Sequence, residues 1–501
     1  MSIYNMAKNG IVISHTLMEK IKRFLFKNTT ARQTIAKNTF WIALSTTLVK
    51  VTRAVVIIYA ARLLGTEGYG LFTYATSIVA ICAIFSDMGL TNILTRDLAT
   101  HTEKKPRYLA TTLVVKLAFL LFVVFLVALT GPFISKFEGA SRLMNIVVLS
   151  VALESLRSFF YAITRSESKM EKEAGLNIAS EVISTIIILV VFLKNPTPYS
   201  LAIAYLIGNT IGFLITLISL RTYLRDVPRH IDTALMKPII QSAWPFTIMG
   251  IFGVFMTNID SVIIGAFTDT HTLGLYAAAQ RPINLLYILP GFFSVSLFPL
   301  LAKALKDNEH DKITHVTEKA SLFALAIALP LVSGGILIAK PLINVVYGYA
   351  YIGAVSTFQI LLLALVVVFP GVILSDVIFV KNKQKMFIKA SLIGAIANVV
   401  LDLLLIPRYG IAGSAVATLC AQIIMNGMFF SEITHSHSLR LFSGLKNILI
   451  ATVLMSLVTY ACISLSLSLI YTLCMSSIIY TGILFIRKEP LINDIRTSFH
   501  I

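Results

Sequence analysis

Arg53 and Lys50 lie three residues apart inside an apolar stretch running from Phe40 to Leu63. At that spacing two side chains share one face of a helix. The stretch is long enough to cross a bilayer, where a charged side chain at the centre costs from a few to more than ~10 kcal/mol. Cations kept there face a water-filled path or a partner. A path lined by them accepts an anion, with Arg offering a planar fork and Lys a point charge. The alternative is structural: the pair holds Glu154 or Glu181 and ties helices together.

The remaining ionisable residues inside apolar stretches extend this pattern. Lys116 and Arg157 add two more cations to the first half of the chain, so Arg53, Lys50, Lys116 and Arg157 form the candidate substrate-binding set. Lys116 could instead snorkel toward an interface. Glu154 and Arg157, one turn apart, can neutralise each other. Asp260 precedes, and Arg281 follows, a short turn at 268–272 by similar distances. They reach similar depth on antiparallel helices, and an ion pair is the simplest reading; a gate or an ion-coupling site is the sharper one. Asp260, Arg281, Glu154 and Glu181 are therefore the gating or ion-coupling candidates. Asp376 and Asp402 sit near span ends, where a structural role is expected.

Motifs of enzymatic chemistry are absent from the sequence. There is no GxxxxGK[ST] phosphate loop, no GxGxxG turn, no HExxH and no nucleophile elbow. The four cysteines (Cys82, Cys420, Cys462 and Cys474) have no CxxC spacing. No catalytic residue, metal or cofactor is expected, and energy would come from an ion gradient, the membrane potential or consumption of product.

The elements that must position these residues are membrane helices. The chain is 57% hydrophobic and only 13% charged, against roughly 25% charged in soluble domains. At about 20 apolar residues per span, the expected spans are 40–63, 69–87, 108–130, 143–164, 174–193, 199–220, 239–267, 273–302, 318–339, 354–380, 386–406, 410–433, 446–466 and 468–486. This predicts an all-α polytopic membrane protein of about fourteen transmembrane helices. With the N-terminus inside, thirty Lys and Arg fall in inner segments, against five (Lys136, Arg142, Lys194, Lys340 and Arg408) in outer loops. That asymmetry places both termini in the cytoplasm. The net charge of +18 is scattered through these loops, so no nucleic-acid partner is expected.

Residues 1–38 lack a signal-peptide core, and Ile21, Phe24 and Leu25 interleave with Lys20, Lys22, Arg23 and Lys27, as in a basic amphipathic segment on the inner surface. The expected division is 1–38; a first lobe of six spans over 39–223; a cytoplasmic linker at 224–238; a second lobe over 239–434; two further spans over 435–486; and a cytoplasmic tail at 487–501. Gly70-Leu71-Phe72-Thr73-Tyr74-Ala75 is echoed by Gly274-Leu275-Tyr276-Ala277-Ala278-Ala279 at an offset of 204, and Ala204–Asn209 by Ala417–Gln422 at 213. Such an echo fits parallel repeats with a cavity between two lobes. Prolines at 245, 282, 290, 299, 330 and 370 permit bent helices in the second half. Trp41, Trp244 and Tyr69 near span ends read as interface anchors.

The segment Ala60-Ala61-Arg62-Leu63-Leu64-Gly65-Thr66-Glu67-Gly68-Tyr69-Gly70-Leu71-Phe72 resembles the first hairpin of bacterial Wzx-type polysaccharide flippases, within the superfamily that also holds lipid II flippases and MATE-type exporters. Asp87-Met88-Gly89-Leu90 with Leu94-Thr95-Arg96-Asp97 is similar to the turn after their second helix, and Asn258-Ile259-Asp260 through Gly274-Leu275-Tyr276 to the matching hairpin of the second lobe. The resemblance implies two six-helix lobes around a central cavity plus two C-terminal helices, alternating access, and a bacterial inner-membrane location. It implies a cargo of undecaprenyl-pyrophosphate-linked oligosaccharide (an O-antigen or capsule unit), with a polysaccharide polymerase and a chain-length regulator as candidate partners. The alternatives are a lipid II flippase, a multidrug cation antiporter, which the cationic first half disfavours, and a polymerase or ligase, which the short outer loops disfavour.

Overall fold

Two glycines turn long helices back on themselves. The computed structural model describes residues 25–225, 230–435 and 444–487. The first helix, α1 (Ala31–Asp87), holds 57 residues; as a straight rod it would be about 85 Å long, far beyond a hydrocarbon core of about 30 Å. At Gly65 the backbone takes φ 67°, ψ 178°, a region that a side chain essentially forbids. There α1 divides into two spans.

After α1 come α2 (Leu90–Thr100), α3 (Lys105–Ile134), α4 (Ala140–Ser166), α5 (Met170–Lys194), α6 (Pro198–Ser219), α7 (Thr233–Phe267), α8 (Thr270–Leu286), α9 (Ile288–Lys306), α10 (His310–Tyr347), α11 (Val355–Val380), α12 (Gln384–Thr434), α13 (Leu445–Ser464) and α14 (Leu469–Ile486). In α12, Gly410 adopts φ 57°, ψ −139° and reverses the chain so tightly that a Cβ on Gly413 would lie 2.5 Å from the Leu405 carbonyl oxygen. Among the described residues twelve helical segments are long and apolar enough to cross a membrane. Dividing α1 and α12 at their glycines brings the spans to the expected fourteen. One of the twelve, Thr270–Lys306, is itself broken at Tyr287 between α8 and α9. Pro290, in the first turn of α9, cannot donate back to Leu286, which explains the break.

The helices gather into two compact units. The first takes the chain up to Val56, Cys82–Ser135 and Ser141–Gly250; the second takes Ile57–Ile81, Lys136–Ala140 and everything from Ile251. The hairpin around Gly65 thus packs with the second unit, and the passage from one unit to the other falls inside α7. Residues 1–24 of the expected N-terminal segment, residues 226–229 of the 224–238 linker and the tail beyond Arg487 lie outside the described residues.

Within the second unit the first sequence echo becomes a reciprocal contact. A Cβ on Gly70 would lie 1.8 Å from the backbone oxygen of Thr270, and one on Gly274 would lie 2.0 Å from that of Thr66. Thr66 and Thr270 are themselves 204 residues apart, as are Gly70 and Gly274, so the two copies clasp each other by equivalent atoms. Thr66 Oγ1 and His271 Nδ1 are 2.7 Å apart beside the contact. Tyr69, one residue before Gly70, is not the interface anchor its position suggested. It is wholly buried, edge-on to Tyr351 with ring centroids 6.4 Å apart, while Tyr351 donates its hydroxyl to the Ala61 carbonyl at 2.6 Å. A span end covered by another helix never reaches the lipid headgroups, whatever its hydropathy.

Overpacking against a backbone costs about 1–3 kcal/mol or more. Gly70→Val and Gly274→Val should each lower the thermal midpoint of the detergent-purified chain. Gly175→Ala, where an added Cβ meets nothing within 4 Å, should not. Equal midpoints for all three would mean that the clasp yields without strain.

Candidate functional site

The first unit pairs its interior cations with carboxylates from other helices. Arg53, on α1, donates from Nη2 to Glu154 Oε1 on α4 and to Glu181 Oε2 on α5, each at 3.1 Å. Lys116, on α3, is completely buried and donates to Asp87 Oδ1 at 2.6 Å and to Ser155 Oγ at 2.7 Å. Thr91 donates to the same Asp87 oxygen at 2.6 Å. A buried ammonium with two short partners is far less costly than a naked one, and Lys116 therefore does not snorkel.

Arg157 pairs with neither Glu154 nor any other acid. It is buried, its Nη1 has no hydrogen-bond partner, and it fills the space left by Gly212, where a Cβ would lie 2.7 Å from that nitrogen. The charge of Arg157 still acts on Glu154, but the direct bond to that carboxylate comes from Arg53 on another helix. Lys50 is exposed. Arg53 is thus paired with Glu154 and Glu181 and Lys116 with Asp87, while Lys50 makes no ion pair among the described residues.

Between the end of α1, the start of α2 and the middle of α4 lies a cavity of about 430 Å³, whose wall includes Asp87, Asn92, Glu154, Ser155, Ser158 and Arg165. The turn at Met88–Gly89 makes it possible. Gly89 has φ 74°, and a Cβ there would lie 2.6 Å from the Ala243 carbonyl oxygen, so α1 ends and α2 begins tight against α7. Asp87 was absent from the candidate set because it closes a span. Its four-residue spacing to Thr91 was the available signal.

The second unit holds a different cluster. Asp260 on α7 and Asp402 on α12 are both fully buried. Tyr276 on α8 donates its hydroxyl to Asp260 Oδ2 at 2.6 Å, and Thr418 donates to the same oxygen at 2.9 Å. Asp402 and Asn398 face Asp260, and Ser414 faces Asp402. Asp260 Oδ1, both Asp402 oxygens, Asn398 Oδ1 and Ser414 Oγ are buried with no hydrogen-bond partner. Four of these oxygens are acceptors without a donor in an apolar interior, and a cation or a proton would satisfy them.

The expected Asp260–Arg281 ion pair does not form. Tyr276 points at Asp260, and Arg281, five residues further along α8, lies about 140° around the helix from it. Arg281 instead places its charge beside Tyr69 and Tyr347. Asp402 was read as structural because it lies near a span end. The hairpin at Gly410 folds Asn398 and Asp402 against Ser414 and Thr418, two pairs each spaced by four, and that apposition is invisible in hydropathy.

Removing one member of the Lys116–Asp87 pair should have unequal consequences. Asp87→Asn strands a completely buried ammonium and should cost about 3–5 kcal/mol. Lys116→Met leaves a carboxylate whose side chain is 36% exposed and should cost less. Denaturant melts of the two purified variants measure the order; a more stable Asp87→Asn protein would contradict it.

Comparisons with known proteins agree with this architecture. A family profile described as "Polysaccharide biosynthesis protein" matches residues 35–305. The Staphylococcus aureus capsular polysaccharide biosynthesis protein CapF is 22% identical over 400 residues, covering 78% of this chain and 97% of that one. A Haloferax volcanii protein named as a probable low-salt glycan biosynthesis flippase, Agl15, is 20% identical over 399 residues, covering 78% and 80%. Among solved structures, the inward closed conformation of the lipid II flippase MurJ superposes with a TM-score of 0.70 at 17% identity, over 90% of this chain and 99% of that one. An inward-facing MATE family multidrug transporter gives 0.66 at 13% identity, over 77% and 94%.

Proposed function

The chain belongs to the polysaccharide biosynthesis protein family, and from that premise we propose that it moves an undecaprenyl-pyrophosphate-linked oligosaccharide, an O-antigen or capsule repeat unit, across a bacterial inner membrane. It is a multi-pass membrane transporter and not an enzyme. The observation that carries the reading is the polar cavity of about 430 Å³ in the first unit, set among charged side chains inside otherwise apolar helices. An oligosaccharide needs a wet, hydrogen-bonding compartment, and a diphosphate needs cations.

In the proposed cycle the cargo enters from the cytoplasmic face, on which both termini lie. Lys50, exposed and without an ion pair among the described residues, makes first contact with the diphosphate. Arg53 engages by exchange, as the diphosphate competes with Glu154 and Glu181 for its guanidinium. Access then alternates to the outer face. Asp260 and Asp402, with Asn398, Ser414, Thr418 and Tyr276, hold a proton or a monovalent cation whose gradient drives the cycle.

The direct test is deletion of the chain in cells, followed by assay of surface polysaccharide and of lipid-linked oligosaccharide on the inner leaflet. Loss of the polymer with accumulation of the lipid-linked unit is expected, with rescue by the native chain and weak rescue by Lys50→Ala at equal expression. Unchanged polysaccharide in cells without a second flippase would end this reading, and accumulation of lipid II instead would move it to peptidoglycan precursor transport. Asp402→Asn removes one of two adjacent buried acids. It should leave the melting temperature equal or higher while abolishing the dependence of transport on a proton or sodium gradient; retained dependence would exclude the cluster from coupling.

A further inference from the structure

The cavity of the first unit is built to accept hydrogen bonds, and its two carboxylates are half used. Asp87 Oδ1 accepts from Lys116 and Thr91, and among the described residues Oδ2 accepts from none. Glu154 Oε1 accepts from Arg53, and among the described residues Oε2 accepts from none. Each acid thus has a cation on one oxygen, and both residues line the cavity wall. An ionised carboxylate only accepts, so these two oxygens call for donors. Ser158 and Asn92, also on the wall, carry side chains that can both give and take hydrogen bonds. The volume lies within the roughly 300–1,000 Å³ of small-molecule sites.

We propose that this cavity is a saccharide subsite that selects a hydroxyl-rich, non-acidic sugar ring of the cargo, with Asp87 Oδ2 and Glu154 Oε2 accepting from ring hydroxyls and Ser158 and Asn92 fixing the ring's orientation. The inference rests on the flippase reading for the origin of the sugar. The chemistry follows from the wall itself. Neutral hydroxyls donate to a carboxylate through charge-assisted hydrogen bonds, the stronger kind. A uronic acid would set a third carboxylate beside Asp87 and Glu154, while Arg165, the cation on the wall, is already engaged by Glu173 through Nε and Nη2; a diphosphate would fare worse. The cavity and the cations thus divide the cargo: the sugar goes to the acids, and the diphosphate to Lys50 and Arg53.

The test uses the full-length chain in nanodiscs and proteoliposomes with two synthetic probes, undecaprenyl-pyrophosphoryl-glucose and undecaprenyl-pyrophosphoryl-glucuronate. Equilibrium binding and translocation are measured separately. The glucose lipid should bind about tenfold or more tightly than the glucuronate lipid, the size of one or two lost charge-assisted bonds. Glu154→Gln, which leaves Arg53 its bond to Glu181, should bring the two affinities together. Ser158→Val should weaken the glucose lipid alone, without change in melting temperature. Equal binding of the two probes, or glucose-lipid binding unchanged in both variants, overturns the subsite. Selective binding of the glucose lipid with no translocation of either probe would instead uphold the subsite and count against the transport reading.

Discussion

A charge inside an apolar helix bundle must be answered by another charge, and most of what is particular to the first unit follows from that requirement. Arg53 binds α1 to α4 and α5 through Glu154 and Glu181. Lys116 binds α3 to the end of α1 through Asp87 and to α4 through Ser155. Four helices are thereby registered against one another by polar contacts, where side chains as apolar as the lipid would have given little preference for one arrangement over another. Small residues let the helices come close enough for these contacts. On α6, Gly208 and Gly212 lie against Ser184 and Ser180 of α5, and Gly212 also leaves the space that Arg157 occupies.

The same pairings create the cavity's chemistry. An acid that shares both oxygens with cations is spent, whereas Asp87 and Glu154 share one each. Structure and binding are therefore not competing explanations for the interior charges. The cations hold the acids in place, and the acids line the cavity. The second unit follows the opposite logic. Among the described residues no cation pairs with Asp260 or Asp402, and hydroxyl, amide and carboxyl groups face them. One unit's acids are paired with cations, and the other's are not.

Apolar run length, loop charge and the spacing of Gly, Pro and charged residues determined the class of the molecule without any structure. The bilayer requires about 20 apolar residues per crossing, and that rule alone places fourteen spans, with Gly65 and Gly410 at two of the turns. The echo of Gly70–Ala75 at Gly274–Ala279 was legible as well, because equivalent glycines serve equivalent close approaches. The residues worth examining in the first unit were also readable, since cost singles out Arg53, Lys116, Glu154 and Glu181 wherever they point.

Which of them meet was decided only by the fold. Arg157 is one turn from Glu154 in sequence, yet Glu154 is taken by Arg53 from 101 residues away. Asp260 and Arg281 reach similar depth but face different ways around their helices. Asp87 and Asp402 looked peripheral at the ends of spans, and became central when the turn at Gly89 and the reversal at Gly410 brought other helices over them. Hydropathy is a property of single segments. Pairing depends on rotation about helix axes and on the company of distant segments, and both are set by tertiary packing.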